Sequence, residues 1–366
     1  MVNIQLDFVQ FSDEVKFKGA LFFMTTLPIS IFKNKSVLIT GGTGSFGRAL
    51  ARKLLSESEC QKVIILSRDE WKQWEMQQSE PIFSHPKIRY FLGDVRDSAR
   101  LARAFNEVNY IVHAAALKQV PAAEYNPSEF IKTNVMGAMN VIDQAIDCGV
   151  EKVIALSTDK SVNPINLYGA TKLCSDRLFS AGNSYVGARG FPKLSVVRYG
   201  NVLGSRGSVI PYWNHMIASG ATSLPITDKR MTRFWITLDQ AVDFVINAFN
   251  EMRGGEIFIP KIPSMRIEDL AEALAPGIPH TYTGIREGEK LHELMVGIED
   301  SRHTFEYDKY FIIVPEIYVH NTSFLKTYME GRAGKTLPED FSYGSNTNTH
   351  WLTLEDLRKL LPDIKH

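Results

Sequence analysis

The chain carries no surplus of either charge, since its 41 Lys and Arg are matched by 41 Asp and Glu. That balance, with no block of basic residues, argues against a protein whose main task is to coat a nucleic-acid backbone. Cysteine is equally scarce. Cys60, Cys148 and Cys174 are odd in number and far apart, which fits neither a disulfide framework nor a Cys-x-x-Cys metal knuckle, and a reducing cytoplasm is the expected compartment. The nine histidines are scattered, and His292-Glu293 lacks the second histidine of a zinc-protease helix, so no metal site is expected. A membrane-length apolar run is missing too. The most apolar stretch near the N-terminus, residues 19–32 (GALFFMTTLPISIF), falls short of the roughly 20 residues a spanning helix needs and contains Pro28. Asp7, Asp13 and Glu14 ahead of it speak against a signal peptide. Residues 1–32 are therefore expected to form a packed or frayed extension, with Met24 an alternative start.

What is present is enough apolar material for a substantial core: 44% of 366 residues. At roughly 100–200 residues per domain, this length predicts about two domains or one large α/β unit, and rules out a disordered or collagen-like chain. From Ser36 onward, short apolar runs alternate with helical stretches, the pattern of βα units around a parallel sheet. Strands are predicted at 36–40, 63–66, 88–92, 110–113, 152–156 and 194–197, with helices at 46–55, 98–105, 127–148 and 168–180. Runs such as VIIL and VIAL are unbroken, as expected of strands buried on both faces. The predicted fold is a doubly wound parallel sheet with a smaller C-terminal substrate-binding domain. Its expected division is a dinucleotide domain over 33–197 with a return segment at about 232–260, and a substrate domain made of 198–231 and 261–366.

Residues 36–47 read SVLITGGTGSFG, an apolar strand followed by glycines at 41, 44 and 47 and then a helical stretch. Glycines suit a tight turn, close backbone approach to a pyrophosphate and close packing of helix on strand, while the helix N-terminus offers free N–H groups to an anion. Gly41, Thr43, Gly44, Ser45, Phe46 and Gly47 are thus expected cofactor contacts. At the end of the second strand stand Ser67, Arg68 and Asp69. A carboxylate there would hold the ribose 2′-hydroxyl of NAD, whereas Arg68 with Ser67 would pair with the 2′-phosphate of NADP. NADP is favoured, with Asp69 one residue away as the alternative. After the third strand, Asp94 beside Val95 is expected to accept from the adenine amino group or, alternatively, to cap the helix beginning near Ser98.

The fifth strand ends in Ser157-Thr158-Asp159-Lys160, and Tyr168 and Lys172 open the next helix four residues apart, on one face. A nearby ammonium lowers a phenol's pKa and makes it a usable base. The motifs TGGTGSFG, GDVRD, HAAA, STDK and YGATK, in this order, resemble the extended short-chain dehydrogenase/reductase family. More narrowly, HAAALKQVPAAEYNP, NLYGATKLCSD, VVRYGNVLGSRGSVIP and PITDKRMTRFWIT resemble the soluble, 5-inverting UDP-N-acetylglucosamine 4,6-dehydratases that begin pseudaminic acid synthesis. This resemblance runs from about Lys35 to the C-terminus and includes GIREGEKLHE.

The resemblance implies a hydro-lyase with Tyr168 taking the 4-hydroxyl proton, helped by Lys172 and Thr158. It also implies Lys160 as the C5 base and Asp159 as the proton source for the departing C6 hydroxyl. Ala114 and Ala115 join the cofactor contacts. Lys118, Asn201, Arg230, Arg233, Arg286 and Glu289 are the implied contacts of the UDP-sugar, and Asn134 is expected to support Lys172 through backbone or water. Retaining dTDP-glucose dehydratases typically carry Asp-Glu where this chain has Asp159-Lys160, and 4-epimerases have no such pair. Membrane-bound retaining relatives keep Asp-Lys but generally replace the tyrosine with methionine. A homo-oligomer, a hexamer by resemblance, and a place in flagellin glycosylation are also implied, with no nucleic-acid or membrane partner. The competing readings are a retaining dehydratase, a UDP-sugar 4-epimerase, and a nucleotide-binding scaffold without turnover.

Overall fold

The computed structural model describes residues 28–205, 207–315, 329–332 and 334–361. Residues 1–27, the larger part of the expected extension, lie outside them. The remainder of that extension enters the fold earlier than the expected boundary at 33. Ile29–Phe32 forms a 3-10 helix, and the fully buried ring of Phe32 packs edge-on against Tyr110 and Phe249.

Six parallel strands, β1 (Ser36–Thr40), β2 (Lys62–Ser67), β3 (Ile88–Leu92), β4 (Tyr110–His113), β5 (Lys152–Thr158) and β6 (Lys193–Tyr199), lie in the order β3-β2-β1-β4-β5-β6. All five residues of β1 are buried, as an apolar strand covered on both faces must be. Helix α1 (Ser45–Glu57) turns Leu50, Leu54 and Leu55 inward, and the helix Leu238–Glu251 adds Val242, Val245 and Phe249 to the same core.

The sheet continues past β6 with the parallel strand Ile257–Pro260 and then the antiparallel Tyr310–Ile313, Thr304–Glu306 and Lys335–Thr336, ten strands among the described residues. This corrects the expected division. The later strands, assigned above to a substrate domain, extend the main sheet because the apolar run at 310–313 pairs along the open edge of Ile257–Pro260. The smaller unit has its own core, around Ile210, Trp213, Leu224, Met265 and Leu270. Its three-stranded sheet joins Ser264–Arg266, Thr232–Ile236 and Asn201–Val202. Strand order reverses between β1 and β4, so ligands are expected at the carboxyl ends of those strands, beneath this cap.

Candidate active site

A cleft of about 640 Å³ opens at that switch point. Its dinucleotide side is built mainly by backbone. Gly41 adopts φ +64°, and a Cβ there would come within 2.8 Å of the Ala115 backbone. At Gly47 an added Cβ would lie 2.5 Å from the Gly42 backbone, so only glycine lets α1 pack this close to the turn. Gly44 is the N-cap of α1 and offers no side-chain cap, so the first turn of the helix presents its amides toward the cleft. Thr43, Ser45 and Phe46 line the same wall. Beneath it Thr40 Oγ1 bonds His113 Nδ1 at 2.9 Å and accepts the Ala115 N–H. Burial, seconded by Lys172, holds His113 down at about 3, so its imidazole stays neutral. These residues fit a dinucleotide: a glycine cradle, a helix N-terminus and a cleft lined by Val95, Ala114 and Ala115.

At the ribose position both candidates line the cleft, but in different states. The Asp69 carboxylate caps the helix Glu70–Ser79 by accepting the Lys72 N–H and also pairs with the Lys72 ammonium at 3.1 Å. Arg68 is exposed and makes no hydrogen bond or ion pair among the described residues. Ser67 donates to the Asp69 carbonyl. Asp94 lines the cleft too, yet its carboxylate is forked by the Arg96 guanidinium and also accepts the Arg96 N–H. The alternative role considered for it, capping the next helix, belongs to Asp97, which accepts the Arg100 N–H.

Where β5 ends, Thr158, Lys160, Tyr168 and Lys172 all line the cleft. Asn166 caps the helix Leu167–Ala181 by accepting the Gly169 N–H and so fixes the start of the helix that carries Tyr168 and Lys172. Burial pushes the Tyr168 phenol up to about 12. Lys160 opposes this more than any other group, and the Thr158 hydroxyl also opposes it. Lys172 donates to the Leu156 carbonyl at 2.7 Å; burial lowers its pKa, while Asp176 draws it back. The ammonium that most favours a phenolate is therefore Lys160, rather than the Lys172 expected from the four-residue spacing.

Lys160 lies 3.0 Å from Asp159 and 3.4 Å from Glu293. Burial disfavours its charge, but the two carboxylates outweigh burial and raise it above the ordinary lysine range. Its neighbours thus make the Lys160 ammonium harder to deprotonate than burial alone would. Asp159 also departs from its expected place. It is fully buried beneath the cleft, where it accepts from Thr158 and Lys160, so it reaches the cleft only through them.

Of the expected sugar-nucleotide contacts, Lys118 and Asn201 line the cleft, whereas Arg230, Arg233, Arg286 and Glu289 do not. Arg230 is exposed and forked onto Asp228, and Arg286 is exposed. Arg233 is buried and donates to the carbonyls of Thr232, Leu291 and Lys290, with Glu289 3.6 Å away. Its guanidinium satisfies cap backbone instead of presenting a fork to a phosphate. Asn134 makes no direct hydrogen bond to Lys172 among the described residues, but bonds its chain neighbour Thr171. It sits in a π-helical turn, Ile131–Met136, and clamps both the N–H and C=O of Leu117 while donating to Thr171 Oγ1.

Three buried charges were not picked out from the sequence. Asp176 accepts from Ser157, Ser161 and Arg198, locking the β5 end to the helix Leu167–Ala181, and Arg198 also donates to the Met295 carbonyl. Glu293 joins Lys160 from the cap. A charged residue inside an apolar strand, as Arg198 is, gave the one local signal that a partner must exist.

A family model described as polysaccharide biosynthesis protein matches residues 37–315. The UDP-N-acetylglucosamine 4,6-dehydratase (inverting) of Campylobacter jejuni is 52% identical over 332 residues, covering 90% of this chain and 98% of that protein. A UDP-glucose 4-epimerase of Rickettsia akari is 41% identical over 338 residues, covering 90% and 96%. Among solved structures, Pen from Bacillus thuringiensis aligns with a TM-score of 0.79 at 34% identity, covering 91% of this chain and 98% of its own. DesIV, a dTDP-glucose 4,6-dehydratase from Streptomyces venezuelae solved with NAD bound, aligns at 0.61 and 25%, covering 70% and 86%.

Proposed function

Because the chain belongs to the polysaccharide biosynthesis protein family, we propose that it is an NADP-dependent UDP-N-acetylglucosamine 4,6-dehydratase that inverts C5. The product is UDP-2-acetamido-2,6-dideoxy-β-L-arabino-hex-4-ulose, and the reaction begins pseudaminic acid synthesis. The observation that carries this reading is Lys160 on the cleft wall with Tyr168, because an epimerase has no need of a second base. The 52% identity to an inverting enzyme supports it further.

The glycine turn from Gly41 to Gly47 with Arg68 would hold NADP, which would supply reversible hydride acceptance between C4 and C6 of the sugar. Tyr168, its phenolate favoured by Lys160, takes the proton of the 4-hydroxyl. Lys160 removes the C5 proton, acidified by the new 4-ketone. The C6 hydroxyl leaves as water, with a proton reaching it from Asp159 by way of Lys160 or Thr158, which both donate to Asp159 and line the cleft. The preference for NADP rests on Arg68, unpaired at the ribose position while Asp69 is engaged as a helix cap.

Incubation with UDP-N-acetylglucosamine in heavy water, followed by mass spectrometry and NMR, tests this. The expected product has lost one water, carries solvent deuterium at an inverted C5, and forms without added oxidant. An isomer of unchanged mass would make the protein an epimerase, and retained C5 configuration would make it a retaining dehydratase.

A further inference from the structure

The most unusual charge near the cleft is Glu293, only 2% exposed and contributed by the cap rather than by the strand end. Its Oε1 lies 3.4 Å from Lys160 Nζ and 3.8 Å from Arg233 Nε, and Oε2 lies 3.9 Å from Lys290 Nζ without a hydrogen-bond partner among the described residues. A buried carboxylate oxygen left without a donor is costly, so such a site persists only where surrounding charges hold it. The backbone leaves little slack. Ser345 accepts the Glu293 N–H and donates its own N–H to the Glu293 carbonyl, while its hydroxyl is bonded to Thr232. Around Lys160 stand Asp159 and Glu293 as anions, Arg233, Lys290 and Lys118 as cations, and Tyr168. A lysine must be neutral before it can take a proton. The strand-end motif supplies one buried counter-charge, and the cap adds a second.

We propose that Glu293 is a positioning residue for Lys160, holding the ammonium at the cleft wall and setting the fraction of Lys160 present as free amine. Its catalytic consequence rests on Lys160 acting as the C5 base, but the charge-setting itself does not. Losing one neighbouring negative charge lowers the lysine's pKa, so more free amine exists at any given pH.

The test is trace acetylation of the intact protein with acetic anhydride between pH 7 and 9, read by peptide mass spectrometry, with the exposed Lys193, which is not among the charges around Lys160, as the reference. In Glu293→Gln, which keeps the side chain's shape, Lys160 labelling relative to Lys193 is expected to rise about tenfold or more, the change that corresponds to one pH unit. Glu293→Asp, with its carboxylate drawn back, is expected to give a smaller rise. An unchanged ratio in a folded Gln variant overturns the proposal; should that variant not fold, an unchanged ratio in the Asp variant overturns it. With turnover, the alkaline rise of kcat moves to lower pH in the Gln variant while KM stays, and a uniform loss at all pH values would leave Glu293 a purely structural residue. Labelling needs no turnover. A parent protein that labels as expected but does not dehydrate UDP-N-acetylglucosamine sinks the proposed function alone.

Discussion

On the dinucleotide side of the cleft, the lining follows directly from the strands: Gly41 to Gly47 after β1, Ser67 to Asp69 at the end of β2, Asp94 after β3, Ala114 and Ala115 after β4. On the cap side, position comes from side chains joining segments far apart in the chain, such as Arg233 on the Leu291 and Lys290 carbonyls and Ser345 on Thr232 and Glu293. The first side is specified by backbone geometry and tolerates little added volume. The second is specified by buried charge and tolerates little lost polarity.

Three substitutions probe that contrast. Arg233→Met keeps volume but takes one of three cations from buried Glu293 and the side-chain donor from the Lys290 carbonyl, and breaking a buried charged network of this kind costs about 3–5 kcal/mol. Chemical denaturation should show the loss, and stability within about 1 kcal/mol of the parent would mean that water replaces the guanidinium. Gly47→Ala adds a single methyl against the Gly42 backbone, and overpacking of this sort costs about 1–3 kcal/mol. It should also weaken dinucleotide binding by calorimetry, whereas unaltered affinity would show that α1 can shift without disturbing the cradle. Arg68→Ala leaves thermal stability alone and removes only a charged contact, worth about 1.5 kcal/mol or roughly tenfold in the preference for NADP over NAD. Equal preference in the parent would turn attention to Asp69.

What could be read in advance follows the same line. The runs VLIT, VIIL and VIAL fall on β1, β2 and β5 because burial on both faces leaves no polar register to misplace. The glycine turn was legible because its spacing is dictated by one local contact, that of Gly47 on Gly42. Residue type alone did not say which of two adjacent groups would be engaged. Asp69 is taken up as a cap and Asp97 performs the capping role considered for Asp94, distinctions that depend on where each helix begins. Arg233 has the chemistry of a phosphate ligand, yet it satisfies cap carbonyls. Glu293 stood in a motif that was recognised without a role, since its partner Lys160 is brought near only by the closed fold.

The π-helical turn at Ile131–Met136 sets local regularity against function. Such a turn accommodates one residue more than an α-helix would, and the same segment places Asn134 against both Leu117 and Thr171. Removing that residue would let the helix relax into ordinary hydrogen bonding, and rotate Asn134 by about 100°, one α-helical step, off the loop that carries Lys118. The irregularity is thus a length-encoded adjustment: a shorter helix would be the more regular one, and would leave the Leu117 loop without its clamp.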